Sequence, residues 1–290
     1  MDTNSKMTVK DFDLAQTLEC GQCFNFEKTG EEEYLVIAFG KLLHIKQTPH
    51  KGKYGPEYVD LDFGDTSDED ILKIWIPYFD LERDYSAIKH AVSEADPRLA
   101  PVIERFGGVR ILNQEFPETL ISFIISQNKN IPQIKKIVRA ICDCAGDYAG
   151  TFGEREYHAF PRVEQLQLMC EEEFRLLKTG FRAPYIMNAI LRLSEPSFNR
   201  DALSQMDYED ARRQLLEIRG VGDKVAGCVL LFSLGFRSAF PVDVWIKRIM
   251  EEMYFHEDTN KKVIENFARK KFGEYGGYAQ QYLFMYARDK

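Results

Sequence analysis

A lysine and an aspartate nineteen residues apart, Lys224 and Asp243, are the side chains of this sequence best suited to covalent chemistry. They lie within LLEIRGVGDKVAGCVLLFSLGFRSAFPVDVWIKRIM, residues 215 to 250. Lys224 follows a Gly220-Val221-Gly222 turn and falls in the first turn of an expected apolar helix. A cation is disfavoured at that end of a helix, which, together with burial, promotes the neutral and nucleophilic amine. Asp243 precedes the periodic run Val244, Ile246, Ile249, Met250 and Met253, so it is placed to cap a second helix as a carboxylate. A fixed carboxylate beside a neutral amine stabilises an oxocarbenium-like sugar and takes part in proton transfer. Taken singly, the two residues read more simply as a surface lysine and a helix cap. Together, beside the turn, they read as chemistry.

The elements that must position the pair follow from local pattern. Asp207, with Asp210 three residues on, marks the start of a helix closed by Leu215, Leu216 and Ile218. Gly220 and Gly222 let the chain turn sharply and admit a bulky group with no Cβ in the way. The next helix opens near Asp223, and its first N–H groups, unpaired and outward, suit a nucleic-acid phosphate. A steric helix–helix corner would use the same glycines.

Periodicity changes along the chain. Cys23–Phe26, Tyr34–Phe39, Leu42–Gln47 and Tyr58–Phe63 are β-rich, separated by turns such as Lys28-Thr29-Gly30 and His50-Lys51-Gly52. From Ser67 onward the pattern is helical; Ile134, Ile137, Val138 and Ile141 form an apolar stripe opposite Lys135, Lys136 and Arg139. The Gly- and Tyr-rich stretch 145–160 is expected to be a loop. The expected class is α+β, mostly α. An N-terminal antiparallel sheet domain, 1–106, is followed by a helical domain, 107–290, with the helix-hairpin-helix around 208–235.

The central stretch resembles the helix-hairpin-helix Gly/Pro/Asp superfamily of base-excision DNA glycosylases. Gly220-Val221-Gly222 matches the hairpin, and Gly235, Pro241 and Asp243 match the Gly, Pro and Asp elements. A lysine at the position of Lys224 marks the bifunctional glycosylase/lyase branch, and Cys228 one turn later resembles the 8-oxoguanine DNA glycosylases. Four further segments carry that narrower resemblance: LECGQCFNF at 18 to 26, FIISQNKNI at 123 to 131, GFRAPY at 180 to 185 and YAQQYLFMYA near the C-terminus. The resemblance implies a base pocket of Gly21, Cys228, Gln280 and Phe284. The glycine carbonyl reads the N7–H of 8-oxoguanine, the glutamine reads the Watson–Crick edge and the ring stacks. It implies Asn128 filling the gap in the duplex, Arg182 contacting the opposite base, and Gly220, Val221 and Gly222 meeting phosphate. Each match also has a structural reading: Phe284 as core, Asn128 and Asn130 as helix ends, and Gly21 as an ordinary turn.

Two departures stand out. Gln133 occupies the place of an arginine that reads the opposite cytosine in eukaryotic members, and a neutral amide lacks the forked cationic contact. Trp245 stands where many relatives carry a histidine. The implied activity is excision of 8-oxoguanine from duplex DNA through a lysine Schiff base, followed by β-elimination. A monofunctional alkylated-base glycosylase, which needs no lysine, and a non-catalytic helix-hairpin-helix DNA-binding protein are the alternatives.

Composition sets broader limits. The chain of 290 residues is 44% hydrophobic and 29% charged, ordinary for a soluble globular enzyme. Its net charge of −8 is concentrated in residues 1–100, with 11 basic against 20 acidic side chains; the remainder has 27 against 26. Net charge bears on solubility and encounter rate, not on whether a local groove holds DNA. Of six cysteines, Cys20 and Cys23 have metal-ligand spacing, but no second pair accompanies them and none follows Cys228. Neither a metal site nor an iron–sulfur loop is expected, and no cofactor beyond a monovalent cation at the hairpin carbonyls. No apolar run approaches membrane-spanning length. A cytoplasmic monomer, nucleoid-associated when bound to DNA, is expected.

Overall fold

The computed structural model describes residues 5–51 and 57–290, so Gly52 of the expected His50–Gly52 turn lies outside the described residues. The N-terminal part is a five-stranded antiparallel sheet. Its strands are β1 (Lys6–Lys10), β2 (Phe26–Gly30), β3 (Glu33–Ala38), β4 (Lys41–Pro49) and β5 (Tyr58–Asp62), in the order β1-β5-β4-β3-β2. β3 is buried along Tyr34–Ala38 without alternation, the sign of a strand covered on both faces. Tyr34, Val36 and Ala38 pack with Leu43, Ile45, Leu61, Trp75 and Phe79 on one side. Leu35 and Ile37 pack with Tyr157 and Ala159 on the other.

That second cover corrects the expectation of a loop at 145–160. Tyr148–Phe152 and Arg155–His158 form an antiparallel hairpin, β6–β7, turning at Gly153 with φ +61°. Its strands are too short and polar to show a period of two in the sequence. Their apolar members, Tyr157 with half-buried Ala149 and Phe152, only become a face when laid on β3 and β4.

The remaining chain is helical around one large core. That core takes in Tyr85 through Phe106, so the buried clusters do not divide at residue 106. Conversely, Leu112 belongs to the sheet's core. At its centre the helix Phe116–Ile125 is buried at every position but Pro117 and packs on the helix Asp223–Phe232, with the Phe123 and Phe232 rings stacked at 5.6 Å. Among the described residues, no helix is long and apolar enough to cross a membrane.

Candidate active site

The helix-hairpin-helix comprises Tyr208–Leu216, the Gly220–Gly222 turn and Asp223–Phe232. Its two glycines differ in kind. Gly220 has φ +87°, and a Cβ there would lie 2.3 Å from the Tyr185 ring, so only glycine fits. Gly222 is in extended backbone with open space beside it, and caps Asp223–Phe232 with no side-chain bond. The exposed helix start therefore offers its first N–H groups outward. Gln127, which the sequence reading passed over, ties this turn to the rest: its Nε2 donates to the Gly220 carbonyl at 3.0 Å.

Lys224 leaves that helix start towards the buried helix Phe116–Ile125. Its Nζ donates to Ser126 Oγ at 2.8 Å and sits 4.9 Å from the centre of the Phe123 ring. Asp243 caps the helix Val244–Met250 through one oxygen: Oδ1 accepts from the N–H of Trp245 at 2.9 Å and of Ile246 at 2.8 Å. Among the described residues, Oδ2 has no protein partner, and Lys224 makes no ion pair with Asp243. Both nonetheless act on Cys228, whose thiol burial pushes up to about 12, with Lys224 opposing the rise and Asp243 adding to it. The three groups share one field.

They also share one cavity of about 870 Å³. Gly21, Cys228, Gln280 and Phe284 line it beside Lys224 and Asp243, although they come from three separate parts of the sequence. Gly21 has φ +80°, and a Cβ there would lie 3.2 Å from Ile131 and 3.7 Å from the Phe284 ring. The backbone thus comes up against the ring. Gln280 is buried and donates to the Pro241 carbonyl at 3.3 Å. Trp245, Lys261 and Arg288 complete the rim, the last two unmarked by any sequence signal.

Asn128 lines the same cavity from the turn after Phe116–Ile125, and Gln133 from the first turn of the next helix. Asn128 has φ +53°, a left-handed conformation that asparagine tolerates better than most residues. Gln133 is committed locally: its Oε1 accepts from the Asn130 N–H while Asn130 Oδ1 accepts from Gln133 N–H, a capping box for the helix Ile131–Ala145. Arg182, expected to contact the opposite base, is held from within the protein. It is buried, outside the cavity lining, and donates to the carbonyls of Thr179, Gln127 and Asn128. A guanidinium with five donors suits this role, bracing the turn that carries Asn128.

Cys20 and Cys23 face different cores, one in the helical cluster and one in the sheet cluster. Burial pushes both thiols up, Cys20 to about 11.

Residues 5–120 match the family model of the 8-oxoguanine DNA glycosylase N-terminal domain. An N-glycosylase/DNA lyase of Arabidopsis thaliana is 31% identical over 97% of this chain and 78% of its own. A probable N-glycosylase/DNA lyase of Methanothermobacter thermautotrophicus is 32% identical over 98% of this chain and 96% of its own. Among solved structures, an 8-oxoguanine glycosylase/lyase of Clostridium acetobutylicum, in complex with double-stranded DNA containing cytosine opposite 8-oxoguanine, superposes with a TM-score of 0.89. It is 36% identical and the match covers 100% of this chain and 99% of that one.

Proposed function

The chain belongs to the 8-oxoguanine DNA glycosylase/AP lyase family of the helix-hairpin-helix Gly/Pro/Asp superfamily, and on that premise we propose the role of each site residue. The enzyme is a bifunctional glycosylase/lyase acting on 8-oxoguanine in duplex DNA. The observation that carries the residue assignment is the convergence of Lys224, Asp243, Gly21, Cys228, Gln280 and Phe284 on one cavity. A monofunctional glycosylase or a DNA-binding module has no use for an amine in that place.

The duplex docks with a backbone phosphate at the open start of Asp223–Phe232, where Gly222 leaves room. Asn128 enters the stack as the damaged base leaves it, and the base stacks on Phe284 with its edge at Gln280. Extrusion costs a few kcal/mol, which stacking and hydrogen bonds offset. The Lys224 amine attacks the anomeric carbon as the bond to the base breaks, and the base departs with that electron pair. The free Oδ2 of Asp243 faces the positive charge that develops on the sugar. Loss of a proton from the attached nitrogen and opening of the sugar ring yield a Schiff base. β-Elimination then breaks the bond to the 3′ phosphate.

Gln133, held in its capping box, offers the opposite base a neutral amide at most, so discrimination for cytosine falls to other contacts. A monovalent cation at the hairpin remains part of this reading. The Gly220 carbonyl accepts from Gln127 and the Ile218 carbonyl from the Val221 N–H, leaving a second lone pair on each. The site is complete within one chain, in keeping with a monomer. Its cysteines are all free thiols, in keeping with the cytoplasm and its nucleoid DNA.

The test is borohydride trapping on an 8-oxoguanine duplex. Lys224→Gln is expected to bind lesion DNA but to lose both excision and the trapped adduct. Trapping retained in that variant would remove Lys224 from the chemistry.

A further inference from the structure

Trp245 takes no part in the chemistry assigned to Lys224 and Asp243, yet it lines the same cavity. It is 40% exposed, and Val244 beside it is 58% exposed. Tryptophan is highly buried on average, and adjoining apolar side chains left bare at a cavity mark a surface that a partner covers. Trp75, the other tryptophan of the chain, is fully enclosed in the core of the sheet.

The Trp245 N–H is one of the two that Asp243 Oδ1 accepts, at 2.9 Å, so indole and carboxylate are fixed to one helix start. Arg248, one turn along the same helix, holds its guanidinium 5.8 Å from the indole centre. The residues that meet the base are placed elsewhere: Cys228 and Gln280 are buried, and Phe284 stands on the helix Gly276–Asp289. A neutral ring draws no phosphate by charge, a task for cations such as Lys261 on the same rim. Between the buried base pocket and the duplex, the part of an extruded nucleotide that passes the rim is its sugar, whose faces are C–H groups.

We propose that the Trp245 indole packs on the deoxyribose of the extruded nucleotide and holds that nucleotide whether or not its base is attached. The inference rests on Lys224 and Asp243 meeting the sugar in this cavity. Contacts at Gln280 and Phe284 end when the base leaves, whereas a contact to the sugar outlasts it. The abasic product therefore stays seated between excision and β-elimination. Being apolar, the contact releases no counterion, so it adds affinity without adding salt dependence.

The experiment titrates three duplexes of one sequence: undamaged, carrying a non-cleavable 8-oxoguanine analogue, and carrying tetrahydrofuran, a sugar analogue without a base. Trp245→Ala is expected to weaken binding of the lesion and tetrahydrofuran duplexes equally, about tenfold, the scale of covering the bare part of an indole. Undamaged duplex is expected to bind as before, and the slope of affinity against salt to stay unchanged. Trp245→Phe keeps an aromatic face and is expected to recover most of the loss. It also leaves Trp75 as the one indole, so the emission change on binding tetrahydrofuran duplex should vanish with it. The bond to Asp243 uses the backbone N–H, so the melting temperature should hold in both variants. A loss confined to the lesion duplex would put the ring on the base, and an equal loss on all three would make it a general duplex contact. Either result overturns the proposal, as does no loss at all. A parent protein that binds tetrahydrofuran duplex no more tightly than undamaged DNA would instead overturn the reading beneath, in which the cavity holds the sugar.

Discussion

The two walls of the cavity are built on opposite plans. On the wall made by the hairpin, among the described residues, Lys224 has one hydrogen-bond partner, Ser126, and Asp243 keeps one oxygen free. On the wall made by the helix Gly276–Asp289, Gln280 is bonded at both ends of its amide and Phe284 lies against the backbone at Gly21. Groups that must form and break bonds are left with open valences; groups that must recognise a shape are fixed beforehand. The first arrangement keeps reactivity, and the second reduces the entropy lost when the base arrives.

Three substitutions press on that contrast. Asp243→Asn keeps the helix cap, since asparagine caps as well as aspartate, while removing the free carboxylate. Single-turnover excision is expected to fall about 10²–10³-fold with the melting temperature held, the scale seen when one electrostatic stabiliser is lost. A fall in stability without a fall in rate would make Asp243 a cap and nothing more. On the opposite wall, Phe284→Ala is expected to weaken binding of lesion DNA by about 1–3 kcal/mol, the worth of one stacking ring. The check is titration with a non-cleavable lesion duplex, and unchanged affinity would assign Phe284 to the core. The smallest effect is expected at Ser126→Ala. It removes the resting partner of Lys224, worth about 0.5–1.5 kcal/mol net, so excision should change by no more than about tenfold. A collapse of activity there would mean that the hairpin wall is as tightly arranged as the other.

The sequence made the chemistry wall legible because its parts are local. Glycine turn, helix start, lysine and capping aspartate fall within residues 215 to 250, where spacing along the chain is spacing on a helix. The reading wall was legible only through the resemblance. Gly21 and Phe284 lie at opposite ends of the chain, and no periodicity joins them. Arg182 was legible by motif, but its bonds to the carbonyls of Gln127 and Asn128 were not. Ser126 and Gln127 were missed because each acts through one contact made only in the folded chain. The hairpin at 148–158 was missed for a related reason. Its apolar face exists only against a sheet more than 100 residues earlier in the chain.

That hairpin also ties the sheet to the helical part. β6 lies against β4, and the Tyr157 ring of β7 lies 4.8 Å from the guanidinium group of Arg139, on the helix Ile131–Ala145, and 4.9 Å from that of Arg155. The sheet is therefore clasped to the very helix that begins beneath Asn128, so the two regions are joined as a single anvil. Smooth bending of a short duplex costs about 1–6 kcal/mol, and pyrimidine–purine steps bend most readily. The more firmly that clasp holds, the larger the share of such work that falls on the DNA and not on the protein.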